Sequence, residues 1–195
     1  PSAILLFIAF YQFDVWVQFR ITELDEAKQP TTIAEVTARQ FEWRIRYPAP
    51  DRVFKDRDDV ANWLKNPEPG DLYWANDLHV PFNKEVMIHL RSQDVQHSFF
   101  VPHLRIKQDA VPGQSIPIWF NVKDLGTFDW TCAELCGWGH YKMRAQVVSE
   151  SEEKYKAFLH ALQKEQNYDG TGEEPQLTTL LQNASAGEQN TSEAH

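Results

Sequence analysis

Both cysteines of this chain fall in one short stretch, TCAELCGWGHYKM, at positions 131–143. Cys132 and Cys136 stand four residues apart, His140 follows four residues later, and Met143 three after that. Thiolate, imidazole and thioether together are the donors of a soft or borderline metal. Gly137 and Gly139 let the backbone between Cys136 and His140 curl, where an extended strand would carry residues i and i+4 about 13 Å apart. A one-copper electron-transfer site asks for a second imidazole from elsewhere in the chain. His97, in DVQHSFFVP, lies 35 residues before Cys132 at the start of a strand-like run and is the candidate. His97, Cys136, His140 and Met143 would already satisfy one copper. Cys132 is the surplus ligand. Two thiolates at this spacing can both bridge two coppers, giving each metal two sulfurs and one imidazole. Such a centre shares one electron between its metals and leaves no obvious open position for a substrate, so its chemistry is electron transfer. Two other readings stay open on these residues alone: a local disulfide in an exported domain, and a Cys2His2 zinc site. Met143 and the β-rich surroundings favour copper over zinc.

These ligands need a scaffold that brings residue 97 to residue 132. The stretch EVTARQFEWRIRY (35–47) is rich in β-formers, alternates over much of its length and reads as a strand. The shorter runs LHVPF, EVMIHLRS, HSFFV, SIPIWFNV, TFDWTCA and RAQVVSE follow, separated by turn residues that include Pro81, Asn83, Pro112-Gly113 and Gly126. Many short strands with regular turns predict a mainly β fold, a cupredoxin-like Greek-key sandwich or barrel. DRDDVANWLKN (56–66) reads as a short polar helix or a loop insertion. Ser149 to Glu152 matches a capping box and opens a C-terminal helix, with Tyr155, Phe158, Leu159 and Leu162 on one face.

At the other end, PSAILLFIAFYQFDVWVQF has Asp14 as its one formal charge. As a helix it would be roughly 28 Å long, close to the hydrocarbon core of about 30 Å. Its most apolar part comes first, and Tyr11, Trp16 and Gln18 resemble an interfacial end. The expectation is the exit half of a transmembrane helix whose first half is missing. A signal peptide fits less well, because there is no basic n-region and no small-residue cleavage site. The expected organisation is a membrane segment at 1–20, a connector at 21–33, the β domain at 34–149, a helix at 150–165 and a polar, disordered tail at 166–195. A net charge of −9 argues against nucleic acid and anionic headgroups as partners, and suits a basic protein partner. His79, His89, His103, His160 and His195 have no partner pattern and read as structural or surface residues.

In ARQFEWRIRYP, DVQHSFFVPHLRIKQDAVPG and CAELCGWGHYKM, which come in the family's order, the chain resembles subunit II of the haem–copper cytochrome c oxidases, specifically its dinuclear copper (CuA) domain. The resemblance covers roughly residues 1–163. It implies that Cys132 and Cys136 bridge two coppers, that His97 and His140 each bind one, and that Met143 is a weak axial ligand. It further implies that the Glu134 carbonyl completes the second copper, while the Glu134 side chain reaches a Mg²⁺ (or Mn²⁺) at the boundary with subunit I. The implied partners are subunit I, other oxidase subunits, the membrane and a cytochrome c-type donor on the outer, periplasmic or intermembrane-space, face. Electrons would pass onward through His140 to the haem of subunit I, where O2 is reduced. Nitrous oxide reductases share CuA but have an aromatic at the Glu134 position, and quinol oxidase relatives lack the cysteines. One departure stands out. The family's QWYW-like stretch is QFEW here, so Phe41 takes the usual position of electron input and Trp43 matches the second Trp. The competing functions are a free-standing membrane-anchored copper shuttle and a zinc- or disulfide-stabilised structural sandwich.

Overall fold

A computed structural model describes residues 1–20 and 30–166 of the chain. Most of the predicted connector (21–29) and nearly all of the predicted tail (167–195) lie outside the described residues. The chain forms two units, Pro1–Thr31 and Thr32–His195.

The first unit holds helix α1 (Ser2–Arg20). Ile4, Leu5, Phe7, Phe10, Tyr11, Phe13 and Trp16 are all exposed on it, so it has no single apolar stripe of the kind that packs onto a core. Gln12, Asp14 and Gln18 interrupt its second half. Among the described residues no helix is long and apolar enough to cross a membrane.

The second unit is a two-sheet β-sandwich. Its strands are β1 (Thr31–Arg39), β2 (Glu42–Tyr47), β3 (Leu72–Ala75), β4 (Asp77–Pro81), β5 (Glu85–Ser92), β6 (His97–Val101), β7 (Ile106–Ala110), β8 (Ile116–Asn121), β9 (Gly126–Cys132) and β10 (Arg144–Glu150). One sheet has the order β3-β2-β1-β5-β8, the other β4-β10-β9-β6-β7. The chain crosses between the sheets at β3–β4, β4–β5, β5–β6, β7–β8 and β8–β9. Inward residues alternate with outward ones along β10, where Ala145, Val147 and Ser149 are buried. Trp43, Phe99 and Trp130 meet in the core, with Trp43 and Trp130 ring centroids 5.2 Å apart and Phe99 edge-on to Trp130 at 4.4 Å. Burying each such ring stabilises the sandwich by roughly 1.5–3 kcal/mol.

Several expectations change in detail. The single strand expected over 35–47 is two, β1 and β2, paired antiparallel with Arg39 opposite Glu42. Gln40 and Phe41 form the turn between them. The segment at 56–66 is helix α2 (Arg57–Lys65), N-capped by Asp56, and it is not merely polar. Its Trp63 is fully buried, with Arg46 stacked 4.0 Å from the ring centroid and Asp71 accepting from Trp63 Nε1 at 2.8 Å. Helix α3 (Glu152–Glu165) begins two residues later than the expected capping box places it. Ser151, not Ser149, is its N-cap, because Ser149 is committed to the buried face of β10. Tyr155, Leu159 and Leu162 of α3 are buried, and Phe158 stacks on His79 at 3.7 Å. Gln166, the first residue of the expected tail, pairs with Tyr73 both ways: it accepts from the Tyr73 N–H at 3.1 Å and donates to the Tyr73 carbonyl at 2.5 Å.

Candidate metal centre

Strand pairing brings the distant ligands together. β6 runs antiparallel to β9 with Phe99 opposite Cys132, and the Ala133 N–H donates to the Ser98 carbonyl at 2.9 Å. That register sets His97 at the end of β6 beside Cys132 at the end of β9. β10 returns antiparallel to β9, and the Cys132 N–H donates to the Met143 carbonyl at 3.1 Å. The loop between Cys132 and Met143 is therefore closed at its base. Its far side is a single 3₁₀ turn, His140–Lys142, held by His140 N–H to Gly137 O at 3.1 Å and Lys142 N–H to Gly139 O at 2.9 Å. Gly137 has φ +137°, a conformation that only glycine adopts readily.

The side chains converge on one small volume. Cys132 Sγ lies 4.0 Å from Cys136 Sγ and 3.9 Å from His97 Nδ1. Cys136 Sγ lies 3.6 Å from His140 Nδ1 and 3.4 Å from Met143 Sδ. The Glu134 carbonyl oxygen is 3.1 Å from Cys132 Sγ. Both thiols are free and buried, and a sulfur separation of 4.0 Å is twice a disulfide bond. His97, Cys132 and Cys136 offer ligand atoms all within 4.8 Å of one another. The predicted ligands His97, Cys132, Cys136, His140 and Met143 thus face one another, with the Glu134 carbonyl beside them. The Glu134 carboxylate joins no cluster of three metal-ligating groups among the described residues.

Electrostatics set the two thiols apart. Burial pushes the Cys132 thiol up, but His97 and the N–H groups around it outweigh burial and bring it down to about 6. Burial and the neighbouring Cys132 charge push Cys136 up to about 12. The pair therefore keeps one proton near neutrality, which a metal binding both sulfurs would displace. Burial pulls the His97 imidazole down, yet hydrogen bonding to Cys132 and Asp94, helped by their charges, overrides it and the net direction is up.

Asp94 backs His97, a contact that spacing did not reveal. Its Oδ1 accepts from His97 Nε2 at 2.8 Å. A carboxylate can only accept, so Nε2 carries a proton, and in the neutral imidazole Nδ1 is the nitrogen that a metal would take. Burial raises the Asp94 carboxyl, but the Gln40 N–H, His97 and the Val95 N–H prevail and hold it below the usual range.

The aromatic residues named for electron input separate. Trp43 is fully buried, its ring 6.2 Å from that of His97, and has no surface of its own. Phe41 is half-buried and lies against the metal loop. Above it, Trp138 is 77% exposed and meets Phe41 edge-on at 5.0 Å. Lys142 Nζ sits 5.2 Å from the Trp138 ring. Trp138 lies inside the ligand motif, where its spacing gives no hint of a surface role.

Residues 32–150 match the family model of cytochrome c oxidase subunit II, periplasmic domain. The chain is 40% identical to an alternative cytochrome c oxidase subunit 2 of Bradyrhizobium diazoefficiens, over 74% of this chain and 54% of that protein. It is 31% identical to cytochrome c oxidase subunit 2 of Cereibacter sphaeroides, over 94% of this chain and 63% of that one. It therefore spans less than two thirds of the length of either relative. Among solved structures it resembles the periplasmic domain of subunit II of cytochrome oxidase (CoxB) of Bradyrhizobium japonicum. There the TM-score is 0.57 at 23% identity, covering 71% of this chain and 96% of that one, which is a likeness of fold. Subunit II of cytochrome c oxidase, captured in a mixed disulfide intermediate with a thioredoxin-like protein, aligns with a TM-score of 0.55 at 25% identity, covering 73% and 98%.

Proposed function

The chain belongs to the cytochrome c oxidase subunit II family, and from that premise we propose that it is the electron-transfer subunit of a membrane-bound terminal oxidase, holding a dinuclear copper centre. The observation that carries this reading is the convergence of two thiols, two imidazole Nδ1 atoms and a thioether, with neighbouring pairs 3.4–4.0 Å apart. The donor set fits two coppers, which Cys132, Cys136, His97, His140, Met143 and the Glu134 carbonyl would hold. When bound, the copper pair supplies one-electron uptake and release.

The chain's own residues supply the rest. Strand ends fix Cys132, His97 and Met143, so the ligands have little to rearrange. Buried surroundings exclude water from the sulfurs. We assign electron output to His140, toward the haem of subunit I. Electron input from a cytochrome c-type donor lies on the Phe41 side, with the exposed Trp138 as the outermost aromatic. The acidic surface suits a basic donor. A Mg²⁺ (or Mn²⁺) would take Glu134 from this chain and its remaining ligands from subunit I. In this reading residues 1–20 would be the exit part of a membrane segment, and the β domain (34–149) would stand on the outer face of an energy-transducing membrane.

Purification of the complex tests the proposal. It should contain a haem-bearing catalytic subunit and two coppers per copy of this chain. Cys132→Ser should abolish the dinuclear centre, with at most one copper retained. A chain purified alone with one zinc, or a Cys132→Ser variant with unchanged copper content and spectrum, contradicts it.

A further inference from the structure

The metal site draws on a third stretch of chain that supplies no ligand. The turn between β1 and β2 lies across the metal loop, and one residue of it touches both ligand-bearing segments. The main-chain N–H of Gln40 donates to Asp94 Oδ2 at 2.7 Å, and Asp94 Oδ1 accepts from His97 Nε2 at 2.8 Å. The side-chain amide of the same Gln40 donates through Nε2 to the Cys136 carbonyl at 2.5 Å. Gln40 therefore links the segment that carries one imidazole to the loop that carries a thiolate.

Phe41 seats the same loop from above. A Cβ added at Gly139 would lie 2.5 Å from Phe41 ring carbons, and one at Gly137 would lie 2.7 Å from Gln40 Nε2 and 3.1 Å from the Phe41 ring. The two glycines of the ligand loop are thus needed where the β1–β2 turn presses on it, a reason separate from the curl of the loop itself.

We propose that the β1–β2 turn is a clamp for the metal centre, with Gln40 its positioning residue and Phe41 its seat. The proposal rests on the dicopper reading. The clamp sets the spacing between the His97 and Cys136 donors before metal arrives, so metal binding need not order the two segments. Loss of a hydrogen-bond partner behind a metal ligand typically costs roughly 10–100-fold in metal affinity.

The test uses the full chain loaded with copper. It measures copper release to a chelator, the copper hyperfine pattern, and thermal melting of the metal-free form. Gln40→Ala should release copper about tenfold faster or more, with unequal hyperfine splitting from the two metals, while metal-free melting stays unchanged. Gln40→Glu should act the same way, because its carboxylate faces the Cys136 carbonyl. Gly139→Ala should also speed release, and adding Phe41→Ala should restore part of the retention by removing the clash. Wild-type release and spectrum in Gln40→Ala would overturn the clamp. So would faster release that only tracks a loss of metal-free stability. A wild-type chain that takes up no copper would overturn the dicopper reading, and the clamp with it.

Discussion

Two buried polar clusters sit in the β domain, and they are finished in opposite ways. Around Arg46 every guanidinium nitrogen has a protein partner: Nε donates to Glu35, Nη1 to Asp71 and the Trp63 carbonyl, and Nη2 to the Trp63 carbonyl. Asp71 also accepts from Trp63 Nε1, and Glu35 from Arg91. This cluster is complete within the protein, and it fastens α2 to the first sheet. Around Cys132 the groups are soft donors that face one another at 3.4–4.0 Å without a disulfide. Sulfur and imidazole lone pairs converging in a buried volume are the donors that a soft metal cation would take. A polar cluster that satisfies itself is structural, and one that needs an outside charge is a site.

The sharpest way to break that distinction is to open the complete cluster. Arg46→Met leaves Glu35 and Asp71 buried without their main counter-charge. Urea unfolding of the metal-free chain should show a loss of about 3–5 kcal/mol, while the copper spectrum of the folded fraction stays unchanged. A loss under about 1 kcal/mol, or an altered copper spectrum, would erase the contrast.

Asp94 tests the other side. Asp94→Asn keeps the shape but removes the charge behind His97. Copper affinity should fall roughly 10–100-fold in a chelator competition, with little change in metal-free stability. Equal affinity would mean that His97 needs no orientation from Asp94.

A third buried polar group belongs to neither cluster. His89 lies 3.3 Å from the Thr32 hydroxyl, and burial pulls its imidazole down to about 4. The unfolded chain has the higher pKa, so it takes up this proton first as pH falls. Stability from neutral His89 is complete above about 6.5 and is lost as pH falls towards about 4. Between pH 6.5 and 5.5 the loss should be about 1 kcal/mol in the metal-free wild type, and absent as an increment in His89→Gln. Parallel pH profiles in the two proteins would refute the assignment.

The candidate ligands could be picked out of the sequence because their chemistry is rare and their spacing local. Four of them lie within one loop, and His97 opens a strand that its β-branched and aromatic residues mark plainly. Strands β5, β6 and β10 coincide with the runs EVMIHLRS, HSFFV and RAQVVSE. The β1–β2 turn was not legible. A two-residue connection preserves the alternation of its strands, and Gln40-Phe41 lacks the Asn-Gly or Asp-Gly signature of such hairpins. Its contacts were hidden for the same reason, since Gln40 reaches Asp94 across 54 residues and Cys136 across 96. Trp63 was masked by the charged residues around it, although an aromatic in a polar helix is itself a sign of a buried face. The choice between Ser149 and Ser151 as cap depends on how far β10 continues, which strand pairing with β4 and β9 decides.

The dicopper reading requires that Cys132 and Cys136 together hold two coppers rather than one metal or each other. Electron paramagnetic resonance of the copper-loaded chain reads this directly. A dinuclear centre should give a mixed-valence signal in which one unpaired electron shows hyperfine splitting from two equivalent coppers. A single-copper signal, or a silent protein with one zinc or a Cys132–Cys136 disulfide, would contradict it.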